Sequence, residues 1–209
     1  MHAIIYLRFH RNCFPYMRLS KQLCFAFFAC CVRHPFHYLQ QLYLKGLFLY
    51  RSDPASSQKL EKGDVVKLHL GAHIDGFASV SAETLVVGAS EKNPVTGRKA
   101  DVIKAAWHAA EVAMRLVKVG NKNWAVTEAV NKVAAAWNCK AVEGMLSCQQ
   151  SQNVIDGKKR IILNPSEQQK KDFEAATFAE NEVWGIDILI SSGEDGKVRP
   201  NLLSPCYEI

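Results

Sequence analysis

Two side chains in this 209-residue chain stand where chemistry could be done. His69 lies in the run VVKLHLGAHIDGFASV, residues 65–80, and Asp187 lies between Ile186 and Ile188 in WGIDILI. An imidazole and a carboxylate can both bind a metal and carry protons, so metal-assisted hydrolysis is the first chemistry to weigh. A two-ion hydrolase asks for more than that. Two cations about 3.5–4 Å apart repel, so several carboxylates and a His must converge to neutralise them. Near His69 no second ligand stands at a usable spacing. A strand residue facing solvent or a hydrogen-bond partner is the favoured reading of His69, and His73 and His108 read the same way. Asp187 is an unusual residue for an apolar strand, which asks for a partner or a cavity. Cys139, Cys148 and Cys206 have neither metal-ligand nor CxxC spacing and read as buried thiols of a reducing compartment. No phosphate-cradling Gly loop, GxSxG or zinc-finger spacing occurs. The basic turns Lys158–Lys159–Arg160 and Lys170–Lys171 are candidates for phosphate contact, although runs this short are usually solvated loops.

The elements that must position these residues can be read from patterning. Val65–Leu70 is β-rich. Asp75–Gly76 between apolar runs signals a hairpin, because the tight turn needs positive φ. Ser81–Val87 is a third strand candidate, which gives an antiparallel meander. Residues 96–120 show apolar residues at helical spacing (Val102, Ile103, Ala106, Trp107, Ala110, Ala113, Met114, Val117), with Thr96 as N-cap and Gly120 as stop. Thr127 is expected to cap a second, Ala-rich helix running to Trp137. Arg160–Leu163 and Glu182–Ile190 read as strands, and Pro165–Phe173 as a turn or short helix. Strands, then two helices, then strands make an α+β fold rather than a regular βαβ alternation.

Composition divides the chain. Residues 1–50 hold six basic residues and no acidic one, whereas residues 51–209 hold 20 of each sign. The first 50 also carry 12 of the 20 aromatic residues and four of the seven Cys. The net charge of +6 therefore belongs to that segment and not to a binding face on the rest. Its apolar run Leu23–Val32 follows four basic residues, somewhat as in a signal peptide, but falls short of the ~20 residues that span a bilayer. Three readings of residues 1–50 follow: unstructured or non-native sequence, a signal or membrane-surface segment, or a folded extension. The first is favoured. Arg51–Gln58 reads as a polar linker or loop.

The stretches GDVVKLHLGAHIDGF, VTGRKADVIKAA, VEGMLSCQQSQNVIDGKKRII, NPSEQQKKDFE and WGIDILISSGE occur in order and are specific. On them, residues 51–199 resemble the proliferation-associated, ErbB-receptor-binding protein family. That family is a non-peptidase branch of the type 2 methionine aminopeptidase-like proteins. VTGRKADVIKAA and NPSEQQKKDFE belong to this branch rather than to the active enzymes. Residues 1–50 and the tail 200–209 do not match. The resemblance implies a partial pita-bread (creatinase/methionine aminopeptidase-like) fold, antiparallel strands with two packed helices, truncated relative to the family. Carried over position by position, the two metal Asp positions fall on His69 and Val80, and the metal His on Met145. The strand Glu falls on Asp187, a substrate-binding His falls on Asn153, and a final Glu lies beyond the chain. Of these positions only Asp187 keeps an anionic oxygen. It is either a relic facing the old cavity or a hydrogen-bonded structural carboxylate. Val80 and Met145 are expected to fill the former cavity with apolar atoms.

The implied function is a catalytically inactive, aminopeptidase-like binding module without cofactor or metal. Its implied partners are structured RNA or ribosomal particles and regulatory proteins, in cytoplasm and nucleus or nucleolus, with a minor secretory alternative from the apolar run. No small-molecule substrate and no integral membrane insertion are expected. The competing readings are a truncated isoform or gene-model fragment without autonomous function and, remotely, an active metallo-aminopeptidase.

Overall fold

The computed structural model describes residues 2–9, 37–44, 47–50 and 60–198, with backbone alone for the first three stretches and for 70–74. The Leu23–Val32 run, the Arg51–Gln58 linker, the tail 200–209 and the side chains of His73 and Cys206 lie outside the described residues.

One antiparallel sheet organises the chain, in the order β3-β2-β4-β5-β1-β9-β7-β8, with β6 also pairing β9. The strands are β1 (His2–Phe9), β2 (His37–Leu44), β3 (Leu47–Tyr50), β4 (Val65–Ile74), β5 (Phe77–Val86), β6 (Lys140–Ala141), β7 (Leu146–Gln150), β8 (Arg160–Ile162) and β9 (Val183–Ser191). The helices are α1 (Arg98–Leu116), α2 (Asn123–Ala136) and α3 (Glu167–Asp172). The fold is α+β, as the patterning predicts. The first 50 residues supply three of its strands, which differs from the favoured reading of that segment as unstructured.

The Asp75–Gly76 turn forms as expected. Both residues have positive φ (48° and 84°), which joins β4 to β5 by the tight turn suited to twisted strands. The expected third strand is not separate: Ser81–Val86 continues β5, which pairs with β4 from Val65↔Val86 to Ile74↔Phe77. Alternation tells why. On β5 the buried residues are Ala82 and Thr84, with exposed residues between them, a period of two unbroken by any turn residue.

Helix α1 begins at Arg98 after Gly97, with no side-chain cap, so Thr96 falls just outside. It ends at Leu116 rather than at Gly120, whose N–H instead donates to the Phe178 carbonyl at 3.0 Å. Helix α2 starts four residues before the expected cap. Thr127 is buried inside it, and its hydroxyl donates to the Ile162 carbonyl at 2.7 Å. A threonine that signals a helix start here fastens helix to strand. The short polar stretch becomes α3, opened by a capping box between Ser166 and Gln169.

The core lies between the helices and one face of β9. Val102, Ala105, Ala109 and Ala113 of α1 and Val126 and Val130 of α2 pack with Ile186, Ile188 and Ile190. Small alanines along α1 let it approach the sheet closely. Trp184 and Phe178 close this layer edge to face, 4.9 Å between centroids. Among the described residues no helix is long and apolar enough to cross a membrane.

Candidate functional site

Alternation along β9 decides where Asp187 points. Its neighbours Ile186 and Ile188 enter the helix-side core, so Asp187 faces the opposite side of the sheet. The backbone N–H and C=O of Asp187 are both taken by one group. The Ser147 hydroxyl accepts that N–H at 2.9 Å and donates to that carbonyl at 3.2 Å. The carboxylate is less well served: Oδ1 is buried with no hydrogen-bond partner. Burial pushes the Asp187 carboxyl up to about 7. Cys148 lies near enough for the Asp187 charge to help raise its thiol, although burial is the main cause. Of the two readings of Asp187, the hydrogen-bonded carboxylate does not hold at Oδ1.

His69 is half-buried on β4, and burial pushes its imidazole below the usual range. Lys67, two residues back on the same face, is pushed down for the same reason. The register then separates the chemistry. His69 is opposite Ala82, Ala82 is opposite Tyr6, and Tyr6 is opposite Asp187. His69 and Asp187 therefore share one face and one row of the sheet. Three strand spacings, roughly 14 Å, lie between them, whereas paired ions need donors around a gap of about 3.5–4 Å.

Val80 is half-buried on β5, two residues from Ala82 and opposite Gly71. Met145 lies just before β7 and packs against the helix-side core. The expectation that Val80 and Met145 jointly fill one cavity is corrected here, because Val80 lies outside the cluster that Met145 joins. Neither side chain carries a donor suited to a hard cation. Asn153 sits in the β7–β8 loop at φ 60°. Its N–H donates to the Gly76 carbonyl at 2.6 Å, and the Gln152 amide donates to the Asp75 carbonyl at 2.9 Å. Position 153 thus braces the hairpin tip. A Cβ on Gly76 would stand 2.4 Å from the Asn153 Oδ1, so the turn requires glycine twice over.

The positions that the resemblance assigns to a metal carry Asp187, His69, Val80 and Met145, and of the two that could donate to an ion, His69 and Asp187 stand three strands apart. Among the described residues no group of three or more His, Cys, Asp or Glu could hold a metal.

The basic candidates divide by what they touch. Lys159 bonds Glu182 and donates to the Thr177 carbonyl at 2.9 Å, so it fastens the approach to β9 and is no phosphate ligand. Glu182 is held below the usual carboxylate range by that ammonium and by the Ala179 N–H and Trp184 indole, against the opposing effect of burial. Lys170 pairs with Glu167 across one turn of α3. Lys158, Arg160 and Lys171 are exposed. Asn123, which patterning does not single out, ties the start of β8 to the segment that follows α3. Its buried amide donates to the carbonyls of Arg160 (2.9 Å) and Glu174 (3.0 Å), and its Oδ1 accepts from Trp124 and Ala176.

This architecture has counterparts. The sequence profile of metallopeptidase family M24 matches residues 34–187, and the chain belongs to that family. It has the pita-bread fold: the methionine aminopeptidase of Rickettsia prowazekii superposes with a TM-score of 0.60 at 16% identity, over 79% of this chain and 61% of that one. Within the family it stands with the proliferation-associated, ErbB-binding branch. It is 54% identical over 149 residues to the curved DNA-binding protein of Schizosaccharomyces pombe, covering 71% of this chain and 38% of the relative. It is 53% identical over 144 residues to the ERBB-3 binding protein 1 of Solanum tuberosum, covering 69% and 35%. The chain spans a little over a third of the length of these relatives.

Proposed function

We propose that this chain is a catalytically inactive, aminopeptidase-like binding module. One observation carries the reading: the single anionic oxygen left at the inherited metal positions, on Asp187, is divided from His69 by β5 and β1. Donors placed so far apart could not hold the paired ions that activate water or polarise a carbonyl in such peptidases. An active metallo-aminopeptidase is the reading this disfavours.

The partners proposed are structured RNA or ribosomal particles and regulatory proteins, in cytoplasm and nucleus, with a role in growth, translation and transcription control. Two relatives, one known as a DNA-binding protein and one as an ERBB-3 binding protein, support a binding role. The exposed Lys158, Arg160 and Lys171 are side chains of the kind that contacts phosphates. The alternative is a truncated isoform or gene-model fragment without autonomous function. It predicts broad melting and binding of hydrophobic dyes.

Co-sedimentation of the chain with ribosomal particles across a salt series tests the module. Release that rises steeply with salt supports electrostatic RNA contact. A folded chain that stays at the top of the gradient at low salt removes RNA and ribosomes from the account.

A further inference from the structure

Two lysines meet at the end of β5 farthest from the Asp75–Gly76 turn, where Val86 pairs with Val65. Beside the start of α1, Lys62 and Lys99 line a cavity of about 180 Å³ together with Val86, Val87, Pro94 and Val95. Backbone bonds fix its frame. The Gly63 N–H donates to the Val87 carbonyl and the Val87 N–H to the Asp64 carbonyl, each at 2.9 Å. On the rim, Ser90 and Asn93 exchange main-chain bonds, and the Asn93 amide donates to the Gly88 carbonyl at 3.2 Å. A frame tied in this way is shaped before a ligand enters, which spares the ligand the cost of ordering it.

Charge and lining together select a ligand class. Among the described residues no carboxylate lines the cavity, and neither lysine stands in an ion pair. Lys99 donates to the Gly63 carbonyl at 2.7 Å, which seats its ammonium at the wall. That bond uses one of the three donors of the group. The Lys62 stem crosses the turn at Gly88, where an added Cβ would stand 2.9 Å from its Cγ. Cations without a counter-charge attract an anion. The apolar side chains narrow the class. Phosphate would press polar oxygens against them without partners, which is costly, whereas an aliphatic body gains by leaving water. An apolar cavity of about 150 Å³ holds a benzene-sized molecule, so the space suits a body of roughly six to eight heavy atoms.

We infer that this cavity binds a carboxylate carried on a short aliphatic stem. The carboxylate meets Lys99 and Lys62, and the stem packs on Val86, Val87, Pro94 and Val95. It belongs either to a free short-chain acid or to the C-terminus of a peptide ending in an aliphatic residue. None of the inherited metal positions lines the cavity, so the site stands independently of the binding-module reading.

Amide NMR of the ¹⁵N-labelled full chain tests it, with isovalerate, neutral isovaleramide, inorganic phosphate and N-acetylglycylleucine as probes. Isovalerate is expected to shift the amides of residues 63, 87–89 and 95–99 saturably. Isovaleramide and phosphate are expected to bind about tenfold more weakly, the first for want of charge and the second for want of an apolar body. Tighter binding of isovalerate than of the peptide assigns the site to a free acid, and the reverse assigns it to a chain end. Lys99→Met should weaken isovalerate about tenfold. Lys62→Met, which gives up no hydrogen bond among the described residues, should weaken it about threefold without moving the melting temperature. Isovaleramide binding as well as isovalerate would overturn the site. So would a Lys62→Met chain that binds isovalerate like wild type, or the absence of saturable shifts around the cavity.

Discussion

The Ser147 hydroxyl satisfies both backbone polar groups of Asp187, at 2.9 Å and 3.2 Å, although Ser147 belongs to the neighbouring strand. A side chain thus stands in for the ladder at the one place where β9 carries a buried carboxylate. Replacing Ser147 with Ala keeps the volume nearly constant but leaves a buried N–H and C=O unpaired. Leaving such groups unsatisfied costs about 1–3 kcal/mol. Urea denaturation of the Ser147→Ala variant should show a lower midpoint with an unchanged slope.

Asp187 makes stability depend on pH in an unusual direction. Burial disfavours the charge and pushes its folded carboxyl up to about 7, above the usual 3.8. Between these values the folded state holds a proton that the unfolded state has released. Stability from this group is therefore present at acid pH and is lost as pH rises through the window from about 4 to about 7, with each unit worth about 1.4 kcal/mol. Asp187→Asn should abolish that loss and be the more stable protein at pH 8. Melting temperatures of both proteins from pH 4 to 8 check this: the wild-type curve falls relative to the variant as pH rises.

Asn123 uses its whole amide, two bonds donated and two accepted, in a position only 1% exposed. No other side chain has that geometry. Asn123→Ala should cost about 3 kcal/mol or more, since several buried groups lose partners together. Asn123→Asp should fare little better, because an ionised carboxylate cannot donate to the Arg160 and Glu174 carbonyls. Loss of structure should appear first in hydrogen exchange of 159–162 and 174–178.

The basic residues should separate into two classes. Lys159→Met removes a partly buried tie to Glu182 and should lower stability by about 1 kcal/mol. Lys158→Ala, Arg160→Ala and Lys171→Ala together should leave melting unchanged. If each residue contacts a phosphate, each removal should flatten the slope of log K against log salt by about 0.7 on single-stranded RNA. Filter binding over a salt series measures it.

Local pattern made the hairpin, α1, β8 and β9 legible, because period and turn chemistry are written in neighbouring residues. Helix boundaries were displaced where tertiary bonds outweighed capping preference. Thr127 looked like a cap and proved to be a fastener to Ile162. Strand β7 was missed because LSCQQ is short and polar, and its pairing with β9 is long-range. The candidate site was legible as a set of positions but not as a geometry. Nothing local in HAIIYLRF or in WGIDILI tells that one strand lies beside the other, and so nothing local tells that His69 and Asp187 are kept apart. Lys159 looked like its neighbours in KKR until Glu182, 23 residues on, was placed beside it.

The central claim is that the inherited metal positions hold no two-ion centre. Titration calorimetry of the purified chain with Mn²⁺, Co²⁺ and Zn²⁺, paired with metal content after dialysis, tests it most directly. The account predicts no stoichiometric binding and no chelator-sensitive release of Met from a short peptide, in the wild type and in Asp187→Asn alike. Two ions retained per chain, lost on Asp187→Asn, would contradict it.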